Sequence, residues 1–164
     1  MANISPFTAV SILAIAQEVP DFALPDHTRA IRSLASLTGA EGLLLGFIGE
    51  IWKPANVTRI LNMQRHAPRF AELGVPVALV VSDRVGALAN FMLSSPLPVT
   101  FPLLADPDKA VQTDFRMLET TGLLLIDHGH VLRYKWLNSG DTLWPSLNDV
   151  LNAAADSIRS RSLL

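Results

Sequence analysis

Two continuous apolar runs of strand length dominate the pattern of the chain. Residues 42–48 read GLLLGFI and residues 75–81 read VPVALVV. An unbroken apolar run bounded by turn residues is typical of a strand that is buried on both faces. Between the runs, apolar positions recur at helical spacing, which predicts a helix from Pro54 to Gly74 with a kink at Pro68. Strand, helix and strand together predict a right-handed parallel crossover.

Shorter patterned segments flank this unit. Residues 122–127 and 131–137 are apolar runs separated by Asp127-His128-Gly129-His130, which predicts a β-hairpin with Gly129 in the tight turn. The other predicted elements are strands at residues 21–24 and 101–105, a helix at 84–93 capped by Ser82 or Asp83, a brief helix from Asp106 to Phe115, and a closing helix within residues 145–164.

The length and composition bound the domain organisation. With 164 residues, of which 49% are apolar, the chain fits one globular domain with a substantial core. We expect an N-terminal extension at residues 1–18 and a single domain at residues 19–164. Residues 9–16, AVSILAIA, resemble a short signal-peptide core, but no Lys or Arg precedes them. They are too short to span a bilayer, so we expect a strand or helix that covers the domain, and a cytoplasmic protein.

Charge and cysteine content exclude several classes of function. Thirteen Lys and Arg residues against fifteen Asp and Glu residues give a formal charge of −2, and the basic residues are scattered. This distribution argues against a nucleic-acid partner. The chain contains no cysteine. Disulfides, thiolate metal ligands and thiol catalysis are therefore impossible for it.

The predicted elements form a mixed sheet with a βαβ unit, a further strand, an antiparallel hairpin and a closing helix, which is a thioredoxin-like α/β arrangement with helices on both faces of the sheet. Short motifs in the same order resemble the alkyl hydroperoxide reductase/thiol-specific antioxidant (AhpC/TSA, peroxiredoxin-like) family. Each motif is weak alone, but their unbroken order over residues 19–155 is specific. The matching pieces are Val19-Pro20-Asp21-Phe22, Leu24-Pro25-Asp26, a strand ending at Phe47, Trp52-x-Pro54, Leu73-Gly74-Val75, Val80-Val81-Ser82-Asp83, residues 101–107 (FPLLADP), and Ile126-Asp127-x-Gly129-x-Val131-Leu132-Arg133.

The positions that carry chemistry in the family differ in this chain. In relatives with a W-C-P-x-C motif, the first cysteine attacks peroxide or disulfide from a helix N-terminus and the second can resolve the product. Here Lys53 takes the first position and Asn56 the second. The family's threonine falls on Glu50, and its peroxide-polarising arginine or cis-proline falls near Thr121. The resemblance therefore implies a family member without thiol peroxidase or disulfide reductase activity, and it implies no cofactor.

A positively charged helix start that has lost its thiol can still hold an anion. We expect exposed N–H groups of Asn56 and Val57, with the side chains of Lys53 and Arg59, to hold a carboxylate or phosphate while Trp52 walls the site. The alternative interpretation is that Lys53 and Arg59 are solvated and Trp52 belongs to the core.

Other functions remain open alongside a non-catalytic binding or regulatory module for a protein partner or small anion. One is an enzyme that uses Lys53 as an amine nucleophile and Glu50 as its base. Asp127, His128 and His130 could ligate a metal in the hairpin turn, although such residues are more often surface groups. Trp136 and Trp144 are expected to be core or interface anchors. By analogy with the family we expect a homodimer, without a nucleic-acid or membrane partner.

Overall fold

The computed structural model of the protein describes residues 13–138 and 144–162. The strands are β1 (Ala23–Pro25), β2 (Ile31–Ser33), β3 (Gly42–Phe47), β4 (Val77–Val81), β5 (Leu103–Ala105), β6 (Thr121–Asp127) and β7 (Leu132–Asn138). The helices are α1 (Leu34–Leu37), α2 (Pro54–Glu72), α3 (Val85–Ser94), α4 (Ala110–Asp114) and α5 (Leu147–Ser162).

The main sheet has five strands in the order β5-β4-β3-β6-β7, and β1 pairs with β2 in a separate antiparallel ribbon. Strands β3, β4 and β5 are mutually parallel, whereas β6 runs antiparallel to β3. The carboxyl ends of β3, β4 and β5 therefore lie at one edge of the sheet, together with the first residue of β6. The predicted βαβ unit and hairpin are confirmed.

The continuous apolar strands feed two cores, because alternate side chains of a strand point to opposite faces. Leu44 packs on one face with residues of α2, α3 and α5, while Leu43 and Leu45 pack on the other with α1 and α4. Helices thus cover both faces, as the sequence predicts. Leu13 joins the second core, and Ala16 donates a backbone hydrogen bond to the Leu132 oxygen at 2.8 Å, so residues before 19 also pack against the domain. The predicted covering segment at residues 9–16 lies mostly outside the described residues.

Several local predictions are corrected by the structure. The helix predicted at residues 84–93 has Arg84 at its N-cap without a side-chain cap bond, because the Asp83 carboxylate instead accepts from the Ile51 amide at 2.6 Å. Gly129 lies in the hairpin turn, as predicted, and the left-handed conformation in this turn falls on His130, with φ of 64°. The long helix α2 continues through Pro68 and ends before Gly74, whose φ is 79°. Strand β2 and helix α1 are not predicted by the pattern. Within residues 13–138 and 144–162, no helix has the length and apolar character needed to cross a membrane.

Candidate functional site

A cavity of about 490 Å³ lies at the edge of the sheet where the parallel strands end. Its wall is built from several separate parts of the chain: the turn after β3, the start of α2, the end of β4, the residue before α4, and the start of β6. The lining residues are Gly49, Glu50, Trp52, Lys53, Asn56, Arg59, Ser82, Lys109 and Thr121. The cavity therefore brings together all four positions that correspond to the family's chemical groups. These are Lys53, Asn56, Glu50 and Thr121.

Lys53 stands directly before α2, as its N-cap, and its side chain is exposed. Pro54 follows at the first helical position, where a missing N–H is tolerated. The expectation of exposed amides at Asn56 and Val57 is wrong. Both N–H groups donate to the Lys53 carbonyl oxygen, at 2.9 and 3.1 Å. Val57 also packs against the core and does not line the cavity.

The main polar feature at the start of α2 is a buried pair of side chains, Asn56 and Arg59. The Asn56 side chain is 1% exposed, and its amide nitrogen donates to the Glu50 carbonyl oxygen at 2.8 Å. Its oxygen accepts from Arg59 Nη1 at 2.7 Å, one helical turn away. Arg59 is 5% exposed, so the interpretation of this arginine as a solvated charge is wrong. Asn56 therefore ties the turn after β3 to the guanidinium in the cavity wall.

Trp144 holds Arg59 from the other side. The Arg59 guanidinium carbon lies 5.7 Å from the centroid of the Trp144 ring, which is a cation–π geometry. Residue 46 of β3 is glycine, and a Cβ there would lie 2.3 Å from Leu79 Cδ2 and 3.2 Å from Trp144 Cη2, so the side chains pack closely over this position. Trp144 packs against the core, as the sequence predicts. Trp144, which precedes α5, therefore contacts both β3 and a cation in the cavity wall.

Trp52 is an aromatic residue that lines the cavity. It is 55% exposed, so the interpretation that it belongs to the core is also wrong. Its ring packs edge-on against Phe91 of α3, with centroids 5.4 Å apart and an interplanar angle of 62°. The exposed part of this indole is available for contact with a ligand.

The cavity also contains donors that were not predicted from the sequence, Ser82 and Lys109. The Ser82 hydroxyl accepts from Gln112 Nε2 at 2.8 Å, which leaves its own proton available for an acceptor in the cavity. Lys109 reaches the cavity from a left-handed conformation with φ of 59°. This turn is fixed by the buried Asp106 carboxylate, which accepts from the amides of Val111 and Gln112 at 3.3 and 2.9 Å.

The positions of Ser82 and Lys109 relative to the predicted strands could have identified them as site residues. Glu50, Ser82 and Lys109 each follow the end of a predicted parallel strand. In open α/β sheets, ligands bind outside the carboxyl ends of the strands. Ser82 and Lys109 could have been assigned to the site by that rule, although it would not have shown that Arg59 is buried.

The hairpin candidate for a metal site has another structural role. Asp127 accepts from the amides of Gly129 and Val131 at 2.9 and 3.1 Å and pairs with Arg133 Nε at 2.7 Å. His128 Nδ1 lies 2.6 Å from Arg161 Nη1. In the described parts of the chain, no group of three or more His, Asp or Glu side chains is arranged to hold a metal ion.

Asp127 is nevertheless electrostatically perturbed. Burial acts to raise the pKa of its carboxyl, but hydrogen bonds from Val131, Arg133 and Gly129 outweigh desolvation and hold the pKa below its ordinary value. Its charged form is therefore stabilised by the turn that it closes.

Comparisons with known proteins agree with this geometry. A sequence model of the AhpC/TSA family matches residues 15–135, whereas no curated protein sequence matches the chain. Among solved structures, peroxidoxin BcpB from Mycobacterium tuberculosis has a TM-score of 0.71 and 21% identity, with 89% of this chain and 96% of that chain covered.

Two further structures have the same fold. Reduced 2-Cys peroxiredoxin from Plasmodium vivax has a TM-score of 0.79 and 16% identity, covering 92% of this chain and 99% of that chain. A mutant PrxQ from Xylella fastidiosa has a TM-score of 0.78 and 20% identity, covering 89% and 98%. The thioredoxin-like fold expected from the sequence is confirmed. The matched residues make up more than half of the chain, so this cysteine-free protein belongs to the AhpC/TSA family.

Proposed function

We propose that the protein is a non-catalytic member of its family that binds a small organic anion in the cavity at the start of α2. The observation that carries this proposal is Arg59, a cation 95% withdrawn from solvent, whose side chain forms part of an open cavity wall. A buried guanidinium presents fixed donors in a planar fork that matches an oxyanion. Because the position of the family's nucleophile is occupied by Lys53, the same cavity gains a second cation in place of a thiolate.

The surroundings of Arg59 support binding rather than turnover. Asn56 and Trp144 hold its guanidinium from two sides, so little conformational entropy is lost when a ligand docks. Lys53 is exposed, and it therefore lacks the desolvation that activates a lysine amine as a nucleophile. This favours the binding function over an enzyme based on Lys53 and Glu50.

Isothermal titration calorimetry with benzoate tests the proposal, with neutral benzyl alcohol as the uncharged probe. We expect wild-type protein to bind benzoate and not benzyl alcohol. Arg59→Met should weaken benzoate binding by about tenfold or more, the amount of one charge-assisted hydrogen bond. Methionine is shorter than arginine, but it is apolar and flexible and suits a buried site, so the variant should fold.

Matched variants control for general effects of charge. Arg65→Met removes an exposed cation from the same helix and should leave benzoate binding unchanged. Lys53→Gln alters the cavity at an exposed position, and it should weaken binding even if Arg59→Met proves unstable. Equal benzoate affinity in wild type, Arg59→Met and Lys53→Gln would refute the anion site. Consumption of hydrogen peroxide with a thiol reductant above a boiled control would refute the non-catalytic assignment.

A further inference from the structure

We propose that the anion bound in this cavity is an organic phosphate monoester, and that Lys109 is the residue that selects it over a carboxylate. This inference rests on the proposed function and narrows its ligand to one chemical class. It follows from the arrangement of donors around the cavity, from the conformation of Lys109, and from the size of the space.

The donors of the cavity come from separate elements of the fold. Arg59 belongs to α2 and Lys53 precedes it, whereas Lys109 precedes α4, and Ser82 and Thr121 lie at the ends of two different strands. A carboxylate has two oxygens in one plane and can be satisfied from one side. A phosphate monoester has three free oxygens that point in different directions, so it can use donors on several walls at once.

The charges of the lining residues agree with a doubly charged group. Lys53, Arg59 and Lys109 are cationic, and Glu50 is the one carboxylate among the described lining residues. A phosphate monoester carries about −1.5 to −2 charges at neutral pH, compared with −1 for a carboxylate. The third cation therefore adds more to the binding of a phosphate than to the binding of a carboxylate.

Lys109 is held at the cavity by the backbone. Its φ of 59° is a conformation that residues with a Cβ adopt at an energetic cost, and such strain clusters at ligand sites. Within residues 13–138 and 144–162, its ammonium group makes no hydrogen bond or ion pair. The buried Asp106 fixes the turn that carries it. Lys109 is thus a cation on a strained, well-defined turn that makes no ion pair within these residues, and it can bind a negatively charged ligand.

The cavity is larger than a phosphate ion needs. Its volume of about 490 Å³ lies in the range of about 300–1,000 Å³ typical of pockets for small organic molecules. Trp52 places an exposed indole at the rim, where an organic group attached to the phosphate can stack. The structure therefore favours a phosphate ester over free inorganic phosphate.

Calorimetric titration of the full chain with phenyl phosphate, benzoate and inorganic phosphate tests this assignment. We expect phenyl phosphate to bind at least about tenfold more tightly than either of the other two probes. Lys109→Gln should weaken phenyl phosphate binding more than benzoate binding and so abolish the preference over benzoate. The matched control is Arg116→Gln, because Arg116 is also an exposed cation in the left-handed conformation, with φ of 58°, but lies outside the cavity.

A pH series provides a second readout that does not depend on a variant. The second ionisation of a phosphate monoester has a pKa of about 6, so phenyl phosphate binding should weaken as pH falls from about 7.5 to 5.5. Benzoate keeps its charge across this range, and its affinity therefore serves as the baseline.

The outcomes separate this inference from the proposed function. If benzoate binds as tightly as phenyl phosphate, the phosphate assignment is overturned and the anion site stands. If Lys109→Gln keeps the wild-type preference, the assignment of Lys109 as the selecting residue is overturned. Equal affinity for inorganic phosphate and phenyl phosphate would overturn the assignment to an ester. If none of the three probes binds, the proposed function fails together with the inference. If Lys109→Gln does not fold, the ratio of affinities in wild type and its pH dependence decide the result.

Discussion

Asn56 and Arg59 are coupled through one buried hydrogen bond in the first turns of α2. In a low-dielectric interior, a guanidinium needs hydrogen-bond acceptors, and the Asn56 side-chain oxygen supplies one. The Asn56 amide nitrogen donates to the Glu50 carbonyl oxygen. At the position of the family's second cysteine, Asn56 thus holds a buried cation in place. Removal of Asn56 therefore costs the protein two buried hydrogen bonds, one to Arg59 and one to the Glu50 carbonyl.

Asn56→Ala should therefore lower the free energy of unfolding by about 1–3 kcal/mol, because it leaves both the guanidinium and the Glu50 carbonyl without this partner. Urea denaturation at neutral pH measures the loss. Asn62→Ala is the matched control, since Asn62 is an exposed residue of the same helix, and it should stay within about 0.5 kcal/mol of wild type. If the two variants lose the same free energy, the Asn56–Arg59 bond does not stabilise the fold.

The hairpin of β6 and β7 is organised by one carboxylate. Asp127 binds the turn amides and Arg133, which depresses its pKa, and the turn in addition places His130 in the left-handed region. The position of the hairpin was predictable from two apolar runs around a polar tetrapeptide. The choice of His130 over Gly129 for the positive φ was not, because the Asp127 side chain fixes the turn through Gly129 and Val131.

Asp127 should make the stability of the protein depend on pH. Its folded pKa lies below the unfolded value of about 3.9, so its contribution is fully present above that value and is lost as pH falls through the folded pKa. Asp127→Asn should be less stable than wild type at pH 7, and the difference in free energy of unfolding should shrink toward pH 2. Denaturation midpoints over this range measure the difference.

The control for this titration is Asp114→Asn. Asp114 is exposed and its carboxylate makes no hydrogen bond or ion pair in the described part of the chain. This variant should keep the acid dependence of wild type. A gap between Asp127→Asn and wild type that stays constant from pH 7 to pH 2 would show that the Asp127 charge is not stabilised by the fold.

At the scale of the whole molecule, the sheet topology creates the candidate site. Its strands were predictable because their apolar runs are continuous, and parallel order followed from the intervening helix. Strand β2 and helix α1 were not predictable, since Ile31–Ser33 and Leu34–Leu37 are too short to show a period. The burial of Arg59 depends on Trp144, which lies far along the chain, so the local pattern around Arg59 contains no sign of it.

A second cavity allows the placement of the ligand to be tested within the same molecule. It has a volume of about 270 Å³ and lies at the opposite edge of the sheet, where Arg133 and Arg161 line it together with Tyr134. Both arginines contact carboxylates, Arg133 with Asp127 and Arg161 with Glu41. Asp127 and Glu41 also line this second cavity and offset the charge of the two arginines, so we expect an anion to prefer the cavity at the start of α2.

The measurement that tests this account most directly is a titration of ¹⁵N-labelled protein with phenyl phosphate, followed by amide chemical shifts in two-dimensional NMR. We predict that the largest shift changes cluster at Gly49, Lys53, Ser82, Lys109 and Thr121, around the cavity where the family's nucleophile would lie. Changes that cluster instead at Tyr134 and Arg161, or that are absent at saturating probe, would contradict it.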